Sequence, residues 1–479
     1  MDLRCLKSLV VEEPDIKGRR AAATVRCVGI GGKESSCRIM ITYELPIEEA
    51  WRPMIRLAFS IPMLNYSLFC DAIRLDFPLR RADARLLDDL NGIFARDIFV
   101  NRLVRDRTPH LLVRHLPQEA EVTEENARPR TPLVPSAVEP DGVLGGSLRA
   151  NACGILSSGG KESLLTYAML REIGGDVCPI YVNESGGHWR TAVAAYRHHA
   201  SSDPLTCRVW TNVDRFYNFM LDHLRIVRPN HRKIRADAYP IRSCIFPFYV
   251  VAALPLLVRR GVGNLLLGSE FHDTRTQPCR GGVRHYLGAY DQTQEFDLRM
   301  EEWYASCLPG MRQWSAVRPI TGLVVERILT KRYPQMAPLQ RSCHSCSIAG
   351  KRTVQCGACA KCLEVLLYLN ANGVNPTIMG YKDADVAAFP ARLAGATLRL
   401  APEEREHASH LCARNGLPVE GKPHPHVEGI HILPSACDPN RVPPRFRRRV
   451  FNILEAYTNG YWVLRGNEWN QAAGSEVVF

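Results

Sequence analysis

A rhythm that begins at Ala152 constrains this chain more than any other feature: short apolar stretch, polar turn, longer helix-forming stretch, then the same again. Cys153-Gly-Ile-Leu reads as a strand, Leu164 to Ile173 as a helix, and Val177-Cys-Pro-Ile-Tyr-Val as a second strand. Arg190 to His199 reads as helix, Thr206-Cys-Arg-Val-Trp-Thr as strand, Arg215 to Leu224 as helix, and Asn264-Leu-Leu-Leu-Gly as a further strand. Such alternation predicts an α/β fold built on a doubly wound parallel sheet. Ligands of these sheets sit beyond the carboxyl ends of the strands, so the loops after Leu156, Val182, Trp210 and Leu267 are expected to converge on one site.

The rest of the chain organises around that core. A length of 479 residues exceeds what one hydrophobic core serves, so more than one domain is expected. Residues 1–115 read as an N-terminal α/β domain, with alternation at Arg38-Ile-Met-Ile-Thr-Tyr and an apolar stretch from Ile55 to Leu64. Residues 116–150 are rich in Pro and Glu without apolar periodicity, the signature of a linker. Residues 151–400 form the second domain, including a Cys-rich segment at 343–362. Residues 401–479 read as a C-terminal extension packing on the core. Within it, His407, His410 and Cys412 fit a solvated helix face better than a metal site.

Composition, at 46% hydrophobic and 23% charged residues, is that of a globular protein. The longest apolar run, Ser243 to Val258, is too short to span a bilayer and contains Pro247 and Pro255, so a buried helix is expected. Acidic residues near the start stand where a signal peptide would be apolar, and a cytoplasmic location is expected. The formal charge of +12 favours anionic partners, yet no Lys/Arg block or RNA-binding signature accompanies it. A nucleotide or phosphorylated metabolite is therefore expected ahead of nucleic acid, and no membrane partner is expected.

The pentapeptide G-G-K-E-S occurs twice, at Gly31 to Ser35 and at Gly159 to Ser163. The first copy lies between two alternating, strand-like segments and reads as a hairpin turn. The second lies between an apolar strand and a run of helix formers, where a glycine-rich turn offers backbone N–H groups and the positive end of a helix to an anion. Ser158, Gly159, Gly160, Lys161, Glu162 and Ser163 are thus the expected phosphate-binding residues. The spacing is neither that of the Walker loop nor that of the dinucleotide fingerprint. Downstream, Leu266-Leu-Gly-Ser-Glu-Phe-His-Asp273 offers Gly268 for close approach of a nucleotide, with Glu270 and Asp273 as oxygen ligands for Mg2+.

Seventeen cysteines, scattered and then bunched, suit reduced thiols with a metal site better than a disulfide framework. The bunch is Cys343-x-x-Cys346 followed by Cys356-x-x-Cys359-x-x-Cys362. Cys356, Cys359 and Cys362 are expected zinc ligands, with Cys346 taken as the fourth and Cys343 as its rival; four thiolates make such a site structural.

S-G-G-K-E-S, from Ser158 to Ser163, resembles the S-G-G-x-D-S loop of the PP-loop ATP pyrophosphatase superfamily, adenine nucleotide alpha hydrolase-like, with Glu162 in place of the Asp. The QueC group of that superfamily has a similar C-x-x-C-x-x-C. The segment P-I-Y-V-N-E-S-G-G-H-W-R, from Pro179 to Arg190, does not resemble QueC. Together with Arg208-Val-Trp-Thr-Asn-Val-Asp214, Tyr290-Asp-Gln-Thr and the stretch from Phe59 to Cys70, it resembles the MurL family.

That resemblance implies an isomerase: an ATP-dependent epimerase converting the terminal L-glutamate of UDP-MurNAc-L-Ala-L-Glu to D-glutamate through an acyl-adenylate, with release of AMP and diphosphate, in peptidoglycan precursor synthesis. It implies ATP and catalytic Mg2+ beside the structural Zn2+, the UDP-MurNAc-dipeptide as partner, and pyrophosphate held by the 158–163 loop with Lys161 neutralising charge. His188 is the leading acid/base, and Glu184 and His272 are its rivals. Trp189 offers a ring for stacking on uracil or adenine, though core burial is the better account of a lone Trp. Arg190, Arg242, Arg275, Arg280 and Arg284 are available to clamp a diphosphate. Two other functions remain open: a PP-loop ATPase acting on a deazapurine or tRNA, and a zinc-stabilised nucleic-acid-binding protein without catalysis.

Overall fold

The computed structural model describes residues 2–184, 186–234, 240–272, 279–343, 345–349 and 352–472. Its centre is a large, mostly parallel sheet. Five strands come from the N-terminal third: β1 (Leu6–Val11), β2 (Arg20–Gly29), β3 (Glu34–Thr42), β4 (Ile73–Leu75) and β5 (Leu133–Pro135). Five more follow: β6 (Arg149–Leu156), β7 (Asp176–Asn183), β8 (Cys207–Thr211), β9 (Val262–Leu266) and β10 (Arg312–Trp314). They lie side by side in the order β10-β9-β6-β7-β8-β3-β2-β1-β4-β5, with Asp15–Lys17 pairing onto β2.

The half from β10 to β8 is parallel throughout. Both of its faces are covered, and the strand sequences show why. In β6, Ala152 and Leu156 enter one apolar cluster while Cys153 and Ile155 enter the other. The first is capped by helix α4 (Ile245–Arg259), the expected buried apolar helix, which packs on α1 (Arg52–Ser60). Gly154 faces α4 so closely that any side chain there would run into Leu257. The second cluster holds α2 (Lys161–Glu172), with α5 (Gly322–Arg332), α6 (Ala360–Ala371) and α7 (Pro402–Arg414) packed behind it. α3 (Gly186–Ser202) follows β7. No described helix is long and apolar enough to cross a membrane.

The N-terminal residues do not make a separate sheet. β8 pairs antiparallel with β3 through Trp210 opposite Thr42 and Thr211 opposite Ile41. Asn212 clips this seam: its side chain accepts from Met40 N at 2.7 Å and donates to Arg38 O at 2.9 Å. The segment expected as a linker also differs from expectation. Leu116, Val122 and Ala127 are buried, β5 pairs with β4, and Val138–Glu139 pairs with Leu79–Arg80. Strands this short carry no readable period, so composition alone pointed to a linker. The C-terminal residues add α7 against α6 and a small sheet of Ile430–Ile432, Tyr461–Arg465 and Glu468–Gln471.

The first G-G-K-E-S copy is the turn between β2 and β3. Gly32 has φ of +80° there, and the turn faces open space.

Candidate functional site

From β6 the chain winds outward to β7 and β8, then crosses back to β9 and β10 on the other side of β6. Loops leaving β6 and β9 therefore diverge in opposite directions, and the crevice between them is where a sheet of this kind receives a ligand. The second G-G-K-E-S copy leaves β6, and Gly268 to Glu270 leave β9.

The glycine loop is shaped by close approach. Gly159 has φ of +76°, and a Cβ on it would lie 3.0 Å from Thr191 O and 3.2 Å from Ala192 Cα in α3. Gly160 is the N-cap of α2 and has no side chain to cap the helix, so the helix start can offer backbone N–H groups to an anion. Ser163 is buried and braces the turn, donating to Gly160 O at 3.1 Å and accepting from Ser157 Oγ at 3.1 Å. Ser157 was not anticipated from the sequence. Ser158 is exposed at the crevice. Gly268 is itself a point of close approach: a Cβ there would meet Glu162 Cβ at 2.7 Å and Ser163 N at 3.1 Å. Its bareness lets the end of β9 close on the start of α2.

Lys161, the first residue of α2, is 4% exposed and sits among carboxylates. Its ammonium pairs with Glu162, with Glu270 at 3.0 Å and with Glu364 at 3.8 Å, and lies 5.5 Å from the centre of the Tyr368 ring. Glu404 accepts from Tyr368 OH at 2.7 Å and from Leu323 N, in the first turn of α5, at 3.3 Å. Glu326, fully buried, accepts at Oε2 from Gln340 at 3.1 Å, while its Oε1 has no hydrogen-bond partner. Burial pushes the Glu270 carboxyl up to about 8 and that of Glu326 up to about 7, in each case against the pull of Lys161. Burial raises Glu404 too. With the buried Lys161 and the exposed Lys361, whose Nζ lies 3.3 Å from Glu364 Oε2, set against five buried or half-buried carboxyl groups, an electrostatic imbalance remains that protons or a divalent cation can relieve. Glu326, Glu364 and Glu404 come from α5, α6 and α7, and no motif in the sequence marks them.

A second polar group lies at the end of β7. Glu184 is 1% exposed and ion-pairs with Arg242. Arg242 Nη1 is 2.9 Å from His188 Nε2, and its Nη2 donates to Tyr249 OH at 3.2 Å. A guanidinium only donates, so Nε2 of His188 is the acceptor and carries a lone pair. The guanidinium also lies 5.5 Å from the Tyr217 ring centre. Glu184 Oε1 and Asp214 Oδ1 are buried without hydrogen-bond partners, and burial, then the nearby Glu184, raises the Asp214 carboxyl. The structure thus joins two of the expected acid/base residues and encloses Arg242, which the sequence offered as a phosphate clamp. Thr191 Oγ1 donates to His188 O at 2.7 Å while Thr191 O faces Gly159, so one helical turn of α3 links the two groups.

The remaining expected residues lie elsewhere. His272 is exposed, next to Phe271. Arg280 and Arg284 pair with Glu119 and Glu295. Trp189 is partly buried beside Tyr196, with the Arg208 guanidinium 5.6 Å from its ring centre. Asp273 and Arg275 lie outside the described residues.

The cysteine segment gathers Cys343, Cys356, Cys359 and Cys362, with all four sulfurs within 4.8 Å of one another. This corrects the expectation of Cys346 as fourth ligand. Cys346 N donates back to Cys343 O at 3.2 Å, and the turn so formed leaves Cys343 alone of the pair facing the other sulfurs. Sγ of Cys343 and Cys359 are 3.7 Å apart, and those of Cys356 and Cys362 are 3.9 Å apart. A tetrahedral zinc with bonds of about 2.3 Å needs sulfurs about 3.8 Å apart, so the set fits that ion and leaves it no open position. Hydrogen bonding from Cys343, then Cys362, holds the Cys359 thiol well below its ordinary range. The segment also braces the glycine loop: Arg341 N donates to Gly159 O at 3.0 Å, and Thr353 Oγ1 donates to Arg190 O at 3.1 Å.

Comparison of the chain with protein-family models and with curated proteins finds no match to either.

Proposed function

We propose that the protein is an ATP-dependent epimerase, an isomerase that inverts the terminal L-glutamate of UDP-MurNAc-L-Ala-L-Glu, working in the cytoplasm with a PP-loop of the MurL kind. The observation that carries this reading is a juxtaposition. An uncapped, glycine-rich helix start lies at the strand-order switch, one turn of α3 away from a buried Glu184–Arg242–His188 group. The strand order from β8 to β10, third-second-first-fourth-fifth, is the doubly wound order that places nucleotides at this crevice, and it supports the same reading.

The Cα–H of a terminal glutamate is a weak acid because the carboxylate beside it is already negative. Transfer of AMP to that carboxylate removes the charge and lets the carbonyl accept electron density when the proton leaves. The chain supplies the parts. Backbone N–H groups at the start of α2 would hold the phosphates, and Lys161 would add positive charge there. Glu162 and Glu270 would hold Mg2+, which would supply positive charge to the phosphates. His188 would be the base once Arg242, which occupies its Nε2 lone pair in this structure, turns to the substrate carboxylate, and Glu184 would hold Arg242 in reach of both. Return of a proton to the opposite face would invert Cα, and attack of water on the acyl carbonyl, with AMP as leaving group, would then free the product.

Incubation with ATP, Mg2+ and UDP-MurNAc-L-Ala-L-Glu in deuterated water should give AMP, pyrophosphate and deuterium at the glutamyl Cα. Release of AMP triggered only by tRNA or a carboxy-deazaguanine would sink the epimerase reading and favour the RNA-modifying one, which the charge of +12 and the cysteine group also suit.

A further inference from the structure

A second set of metal-ligating side chains lies outside the crevice and the cysteine group. Glu403, in the first turn of α7, meets His424 and His426, and one ligand atom from each lies within 4.8 Å of the others. The two histidines stand in the sequence Pro423-His-Pro-His, where each proline fixes its own φ and restricts the residue before it. The backbone that presents them is therefore stiff before any ligand arrives.

Hydrogen bonds behind the rings fix their orientation. His431 Nδ1 lies 3.1 Å from Pro319 O, which can only accept, so this nitrogen carries a proton. A neutral His431 then accepts at Nε2, and His426 Nδ1, 3.1 Å away, donates to it. That leaves His426 Nε2, 2.7 Å from Glu403 Oε2, as the nitrogen turned toward the carboxylate. Either this nitrogen is protonated as an imidazolium or its lone pair and the carboxylate both face a cation. His424 has its own carboxylate behind it, Glu406 Oε2 at 2.8 Å from Nε2. Its backbone N–H donates to His407 Nδ1 at 2.8 Å, and His407 Nε2 lies 3.0 Å from Glu428 Oε1. Imidazoles whose second nitrogen is tied to a carboxylate or to a chain ending on a backbone carbonyl are the arrangement found behind metal-bound histidines. Stacking of His426 on Trp469, and of His431 on Phe271 at 3.7 Å, holds the rings from the sides.

We propose that Glu403, His424 and His426 form a second metal site, for a zinc-class divalent transition ion. Two imidazoles and one carboxylate make a three-ligand set, which leaves a fourth position for water or a substrate atom, unlike the closed thiolate group. The His424 side chain is 23% exposed and that of Glu403 30%, so the ion has a path from solvent. The site adjoins the crevice through the chain itself: Glu404 follows Glu403 and accepts from Tyr368, and Phe271, stacked on His431, follows Glu270.

The test is metal stoichiometry on the full chain, stripped with chelator, equilibrated with Zn2+ and desalted. Wild type should retain about two equivalents per chain, and His424→Gln and Glu403→Gln about one each. Cys359→Ser should lose the other equivalent and keep this one. Titration of the wild-type chain with Co2+ gives a readout independent of variant folding: a thiolate-to-cobalt charge-transfer band from the cysteine group, plus separate visible bands from a nitrogen and oxygen site. Wild type that binds a single equivalent, shows only the thiolate spectrum, or binds as much metal as His424→Gln overturns the proposal.

Discussion

Lys161 Nζ lies 3.0 Å from Glu270 Oε2, so the first residue of α2 and the loop leaving β9 meet in one buried ion pair across the point where the strand order reverses. The crevice that would admit a nucleotide is thus closed at its floor by charge, with Glu162 and Glu364 completing the pairing.

Lys161→Met should be strongly destabilising, because it removes the buried ammonium that pairs with Glu162, Glu270 and Glu364 and leaves the exposed Lys361 beside Glu364 as counter-charge. Breaking a buried pair from one side costs about 3–5 kcal/mol. Urea unfolding at pH 7.5 checks this, and part of the loss should return at pH 5, where the stranded acids protonate. An unfolding midpoint equal to wild type would show that Lys161 is not the counter-charge of the cluster.

Glu326 gives stability a pH dependence of definite sign. Its carboxyl titrates near 7 in the folded chain and at about 4.3 when unfolded. Between those values the unfolded chain has released a proton that the folded chain keeps, so stability falls as pH rises toward 7. Glu326→Gln removes this slope while keeping a hydrogen-bonding partner for Gln340. Denaturation midpoints from pH 5 to 8 should therefore be flatter in the variant, and an unchanged slope would contradict the assignment.

The two copies of G-G-K-E-S should respond differently to the same change. Gly32→Ala meets open space and costs about 1 kcal/mol for the left-handed backbone alone. Gly159→Ala carries that cost and also presses on Thr191 O and Ala192. ATP binding, followed by calorimetry, should fall at least about ten-fold in the second variant and stay at the wild-type level in the first. Equal effects would remove the distinction between turn and phosphate loop.

Cys343→Ser should lose the structural zinc, and Cys346→Ser should keep it. Metal analysis after dialysis against a weak chelator separates the two. Because Arg341 N holds Gly159 O only two residues before Cys343, the first variant should also lose ATP affinity, while the second should not.

Much of the parallel half was readable because its strands are short apolar runs, each followed by helix formers, and the structure places β6 to β9, α2, α3 and the helix Val213–Leu221 close to where that pattern put them. The glycine loop was readable for the same reason: its neighbours, not its letters, separated it from its twin. The fourth cysteine was not readable, since both members of Cys343-x-x-Cys346 have metal-binding spacing and only the turn between them decides which faces inward. The carboxylates of Glu326, Glu364 and Glu404 were hidden differently. Each is one acid on a separate helix, and tertiary packing alone brings them to Lys161. The β8–β3 seam rests on two residue pairs and one asparagine, too little to leave a sequence pattern.

That seam has a practical consequence for anyone dividing the gene. Cutting the chain within 116–150 would not release two self-sufficient halves, because it would strip β3 from β8 and leave each piece with a raw strand edge. Bare edges of this kind template pairing with other copies. The first third of the chain is in this sense the hem of the parallel sheet, and fragments made without it should be sought in the pellet.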